Sequence, residues 1–224
     1  MLTVHHLENS RSQRILWLLE ELDVTYEIKR YERDKVTSLA PAELLAVHPL
    51  GKSPLITDNG QTIAESGAII EYVLDHYGDG RLRPPANTAD YEQYRYWLHF
   101  AEGSIMPLMV MALIFNRMET AKMPFFVRPV AKGLASKVRE SYIDPNTSRM
   151  LDFMEATLAK QAWFAGSEMS AADVQMSFPL EAAATRQRLG KDYPNLQRFV
   201  ETVHARPAYQ TALQKGGPYA FSGS

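Results

Sequence analysis

Residues 78–87 read GDGRLRPPAN, and the apolar pattern follows different rules on its two sides. The stretch is dense in Gly and Pro and has no apolar period, which predicts a linker. Before it, short runs alternate. LTVHHL at 2–7 reads as a strand, and the spacing of Ile15, Leu16, Leu18, Leu19 and Leu22 predicts a helix. TYEIKRY alternates like a half-buried strand, and PAELLAV is a short helix opened by Pro41. SPLIT and QTIA are two strands around Asp58-Asn59-Gly60, and Asn-Gly is a strong hairpin signal. SGAIIEYVLDHY is a helix with Ser66 as its expected cap. The order is β-α-β-α-β-β-α. After the linker, helical patterns follow one another over 88–118, 124–142, 147–160, 171–188 and 194–204. Ser170 and Asp173 resemble a helix start box, with Met169 and Val174 as the flanking apolar staple. Residues 216–224 read as a loosely held tail.

This architecture predicts an α/β thioredoxin-like domain over 1–80 followed by an all-α domain over 88–215. A chain of 224 residues, 46% hydrophobic, is long enough to bury both cores. The net charge of -2 offers no electrostatic case for nucleic acid or an anionic membrane. No uninterrupted apolar run approaches a membrane span, and the start carries no signal-peptide pattern, so a cytoplasmic protein is expected. There is no cysteine, so no disulfide or cysteine-ligated metal site forms. Any thiol chemistry must use a bound thiol. His5 and His6 alternate on a strand and cannot chelate one metal together, and no metal site is expected. Tyr91, Tyr94, Trp97 and Phe100 form a helical stripe that reads as core, and His48 before Pro49 reads as structural.

HPLGKSPLI at 48–56 places Pro54 at the start of a strand, where it cannot donate to the ladder. A cis bond after Ser53 would turn the preceding backbone groups outward, ready to pair with an extended peptide. Taken alone, the stretch reads as a tight turn with no ligand. AESGAII at 64–70 opens a helix whose free N–H groups attract a carboxylate, with Glu65 beside them to hold an ammonium. Taken alone, this is a capped helix with an exposed acid. Together, Lys52, Ser53, Glu65 and Ser66 suit a ligand with a carboxylate, a central peptide unit and an amino-acid end. Glutathione is such a molecule.

Gly51-Lys52-Ser53-Pro54-Leu55, Ala64-Glu65-Ser66-Gly67-Ala68-Ile69 and Ser170-Ala171-Ala172-Asp173 resemble the glutathione-site and helix-cap motifs of the glutathione transferases. HPLGKSPL, AESG, EGSIMPL, MPF and ADVQMSFPL resemble in particular the fungal endoplasmic-reticulum-associated members and their bacterial relatives. The resemblance implies a glutathione-binding first domain, an electrophile pocket between the domains and a homodimer. It implies conjugation of the glutathione thiolate to small-molecule electrophiles in a detoxification role, with peroxidase activity as an extension. By the same resemblance Lys52 contacts the glycyl carboxylate, Ser53 pairs through its backbone with the cysteinyl unit, Pro54 is the cis proline, and Glu65 and Ser66 hold the γ-glutamyl end. A glutathione-dependent disulfide reductase and a non-enzymatic glutathione-binding protein stand as the alternatives.

A free thiol has a pKa of roughly 8.5, so activation means lowering it. The superfamily's donor follows the first strand and is Tyr, Ser or Cys. Cys is absent, and no Tyr occurs before Tyr26. The stretch ENSRSQR at 8–14 then offers Ser10 and Asn9 as the catalytic candidates, with Arg11 in the glutathione-binding set as a source of positive charge. Ser10-x-x-Gln13 also fits a capping box, so Ser10 either caps the helix or donates to the thiolate. Asn9 through its amide, or the helix N-terminus alone, are the other donors. Residues 102–115 and 123–128 are expected to line the electrophile pocket, with Met106, Met109, Met111 and Phe115 making it adaptable.

Overall fold

The computed structural model of the chain describes residues 1–185 and 189–222. Its first part is a four-stranded sheet in the order β2-β1-β3-β4. β1 (Leu2–Leu7) pairs in parallel with β2 (Tyr26–Tyr31), Leu2 opposite Tyr26, so a crossover is required, and α1 (Ser12–Glu21) supplies it. β3 (Leu55–Asp58) runs antiparallel to both β1 and β4 (Gln61–Ala64). The β3–β4 turn has φ of 49° at Asn59 and 79° at Gly60, which Asn-Gly tolerates well. Alternation along β1 sends Val4 and His6 toward α1, and His5 and Leu7 toward the opposite face, where α2 (Glu43–Val47) contributes Leu44. α3 (Ser66–Tyr77) packs its Ile69, Ile70, Val73 and Leu74 beside α1.

α4 (Ala89–Phe100) starts on Thr88, whose Oγ1 accepts the Tyr91 N–H at 3.2 Å. It continues through a π-turn, Ala101–Ile105, into α5 (Met106–Thr120). α6 (Arg128–Val138) continues in the same way through Arg139–Ile143 into α7 (Asp144–Leu158). Each π-turn lies just before a proline, Pro107 or Pro145. The Met106 N–H reaches Ala101 O and the Asp144 N–H reaches Arg139 O, one residue further back than in an α-helix. The widened turn makes room for a ring that would strike the carbonyl four residues earlier. The expected break between 142 and 147 is therefore absent.

α8 (Ala171–Thr185) runs through the centre and is buried on every side over most of its length. Residues 186–188 of its predicted span lie outside the described residues. The start box forms: Asp173 accepts from Ser170 N–H at 2.8 Å, Ser170 Oγ at 3.0 Å and Phe164 N–H at 2.8 Å. α9 (Pro194–His204) matches its predicted span, and α10 (Pro207–Gly216) was not predicted. The stripe Tyr94, Trp97 and Phe100 is core, as expected, with Tyr91 packed half-buried against it.

Two further expectations are corrected. Ser66 is the first helical residue and Glu65 holds the cap position, with φ 71° and no side-chain cap bond. The tail is anchored: Tyr219 is buried and its hydroxyl donates to Glu181 Oε2 at 2.7 Å. The joined helix 89–120 is long and apolar enough to cross a bilayer, but Ile105, Met106, Leu108, Met109 and Ala112 are buried inside the fold.

Candidate active site

Two cavities meet at the start of α1. The smaller, about 270 Å³, is lined by Arg11, His48, Lys52, Ser53, Pro54, Glu65, Ser66 and Glu102, among others. The larger, about 480 Å³, is lined by Asn9, Ser10, Arg11, Arg33, Ser53 and Arg117 on its polar side. Met106, Met109, Leu113, Phe178 and Phe221 form much of its apolar side. Arg11 and Ser53 belong to both, and Ser10 stands beside that junction.

The smaller cavity gathers the predicted glutathione set. The Ser53–Pro54 bond is cis. Among the described residues, neither the N–H nor the C=O of Ser53 is hydrogen-bonded to other backbone. Among the described residues, the Lys52 ammonium and the Glu65 carboxylate have no ion pair, and the Ser66 hydroxyl has no hydrogen bond. Glu65 is held at a positive φ that costs a non-glycine residue about 1–3 kcal/mol, a strain found at ligand clamps. Unpaired charges of both signs and an unpaired peptide edge fit a zwitterionic peptide.

At the junction the capping box does not form. Gln13 Oε1 and Nε2 are buried without a partner, and Arg11, not Ser10, holds the cap position of α1. Ser10 Oγ instead accepts the Ser12 N–H at 3.2 Å and lies 2.8 Å from Ser12 Oγ and 3.3 Å from Ser53 Oγ. Ser12 Oγ is 2.9 Å from His6 Nδ1. Burial, reinforced by the charge of Arg30, pushes the His6 pKa down to about 4, so the ring is neutral. The Gly216 backbone is a hydrogen-bond partner of the same ring. Nδ1 is then an acceptor, and Ser12 donates to it. Ser53 donates to His5 O at 3.3 Å. With Ser12 donating to His6, the 2.8 Å contact has Ser10 donating to Ser12 Oγ, and Ser10 is the hydroxyl at the open end of the line, beside the larger cavity.

Asn9 has φ 48°, and its Oδ1 accepts the Ala220 N–H at 2.7 Å, which ties the loop to the tail. Arg11 Nε lies 3.2 Å from Glu102 Oε2, and Arg14, fully buried, pairs with Glu102 Oε1. Two guanidiniums share one carboxylate, so the junction is net positive. His5 bonds to Tyr31 and Thr57 on the opposite face of β1 from His6. Among the described residues no three acids or histidines gather to hold a metal.

Sequence reasoning missed Arg33 and Arg117, read His48 as structural only, and assigned Glu102 to the electrophile pocket, whereas it lines the smaller cavity with His48. The joined helix carries Met106, Met109, Leu113 and Arg117 on one face, at helical spacing, and this phase was the available signal. Met111, Phe115 and residues 123–128 are not part of the cavity lining.

Residues 1–75 match the family model "Glutathione S-transferase, N-terminal domain", and 115–207 match its C-terminal counterpart. Glutathione S-transferase 3 of Schizosaccharomyces pombe is 38% identical over 215 residues, covering 96% of this chain and 88% of that protein. Glutathione S-transferase 1 of Saccharomyces cerevisiae is 33% identical over 223 residues, covering 96% and 95%. A glutathione S-transferase crystal structure from Actinobacillus pleuropneumoniae superposes with a TM-score of 0.79 at 32% identity, covering 98% of this chain and 94% of that one.

Proposed function

Since the chain belongs to the glutathione S-transferase family, whose members are enzymes that use glutathione, we propose that it conjugates the glutathione thiolate to a small-molecule electrophile. The observation that carries this reading is the meeting of two unlike cavities at Ser10. One is polar and holds Lys52, Ser53, Pro54, Glu65 and Ser66, and the other sets an apolar wall opposite a polar one. The N-terminal unit, 1–80, binds glutathione. The helices of 88–215 supply most of the electrophile wall.

Lys52 faces the glycyl carboxylate, the Ser53 backbone pairs with the cysteinyl unit, and Glu65 with Ser66 holds the amino-acid end. Ser10 turns its proton from Ser12 Oγ to the sulfur, which stabilises thiolate over thiol. One pKa unit is about 1.4 kcal/mol, within reach of one charge-assisted hydrogen bond. Arg11 adds positive potential at the same point, and His6 with Ser12 orients Ser10. The thiolate then attacks the electrophilic carbon, the leaving group departs with its electron pair, and the thiol proton passes to solvent. Homodimer assembly and a cytoplasmic location belong to this reading, supported by family membership alone.

The test is glutathione affinity by calorimetry, followed by turnover with a chloronitrobenzene, a hydroperoxide and a small disulfide. Binding with chloronitrobenzene turnover is the expected result. Binding with disulfide turnover alone favours a reductase. An absence of glutathione binding ends the proposal.

A further inference from the structure

The larger cavity carries more positive charge than thiolate formation requires. Arg33, on the loop after β2, and Arg117, near the end of α5, line it from the two halves of the molecule, and among the described residues no acidic side chain lines it with them. Arg33 is positioned mainly by carbonyls. Its Nε donates to Glu8 O at 3.2 Å and its Nη1 to Ser38 O at 3.1 Å. Its Nη2 has no hydrogen bond among the described residues. The nearby Glu8 carboxylate accepts the Arg33 backbone N–H at 2.9 Å and only partly offsets the guanidinium. Arg117 has no ion pair among the described residues, and its charge acts unfavourably on Arg33. Two like charges facing one cavity are stabilised by an anion between them.

Resting on the transferase reading, we propose that this cavity selects anionic electrophiles: molecules with an apolar body and a carboxylate. The body lies along Met106, Met109, Leu113, Phe178 and Phe221, with its reactive carbon toward Ser10. The carboxylate sits between Arg33 and Arg117. A guanidinium–carboxylate contact of this kind is about a tenfold effect on affinity in a half-open site.

A matched pair of substrates tests this, 4-chloro-3-nitrobenzoate and its primary amide. In both, the carbon–sulfur bond forms as chloride leaves. Wild-type enzyme at low salt is expected to show a KM about tenfold lower for the carboxylate. Arg33→Met and Arg117→Met each lower that preference, and the double variant brings it near one. Binding of the unreactive 4-methyl-3-nitrobenzoate and its amide, with S-methylglutathione present, gives the same comparison in the wild type, independent of turnover and of how the variants fold. There the carboxylate preference shrinks as salt rises. Normal glutathione binding with no carboxylate preference overturns this proposal and leaves the transferase reading standing. A rise in the glutathione KM of the variants equal to that for the carboxylate also overturns it, by assigning both arginines to glutathione. Failure to bind glutathione or S-methylglutathione defeats the transferase reading itself.

Discussion

Ser10 sits at the end of a line of hydrogen bonds that begins at His6 and passes through Ser12. The line sets two expectations. Ser10→Ala removes the donor and raises the pKa of bound glutathione by about one unit, read from thiolate ultraviolet absorbance against pH. An unchanged titration would move the role to Asn9 or to the helix N-terminus. His6 acts on stability as well. Its folded pKa is near 4 against 6.5 unfolded. Its contribution is therefore full above about pH 6.5 and lost as pH falls toward 4, because only the unfolded chain takes up the proton. The unfolding free-energy deficit of His6→Gln relative to wild type shrinks by about 2 kcal/mol between pH 7 and pH 5, measured by urea titration. A constant deficit would mean that the imidazole is not held neutral.

At the level of elements, Asp173 shows how a short motif fixes a long helix. Its carboxylate satisfies two backbone N–H groups and one hydroxyl at a position with no solvent access. Burial still pushes its pKa up to about 6. Asp173→Ala leaves those donors unpaired and destabilises the fold by about 3 kcal/mol in denaturant unfolding. This box was legible in the sequence because it is local, as were the hairpin at Asn59-Gly60 and the order β-α-β-α-β-β-α. Lys52, Ser53, Pro54, Glu65 and Ser66 were legible for the same reason, as two contiguous motifs. The run from Arg128 to Leu158 was not. Asp144-Pro145-Asn146 has the composition of a stop, and only a π-turn lets the helix pass the proline. Arg33 and Arg117 escaped, and Glu102 was assigned to the wrong cavity, because each meets the site across a long sequence separation.

Across the molecule, the boundary between the two units is bridged by the end of the chain. α10 packs chiefly on α1, and Arg206 binds Glu21 of α1 through two hydrogen bonds of 2.5 and 2.7 Å. The hydroxyls of Tyr209, within α10, and Tyr219, beyond it, both donate to Glu181, which is buried in α8. Phe221 stands edge-on to Phe178 at 5.4 Å, and both rings line the larger cavity. Truncation after Gly217 is expected to raise the electrophile KM about tenfold while changing the glutathione KM far less. Steady-state kinetics with each substrate varied in turn checks this. An equal effect on both would mean that the tail supports the whole site through Asn9.

The anchored tail also decides how the protein can be handled. Polypeptide appended after residue 222 has to leave from the rim of the electrophile cavity, a few residues from the bond between Ala220 and Asn9. Met1 is exposed and precedes β1 on a part of the chain that lines neither cavity. An affinity tag or immobilisation linker belongs at the N-terminus, and C-terminally tagged preparations would report the kinetics of a pocket with one wall displaced.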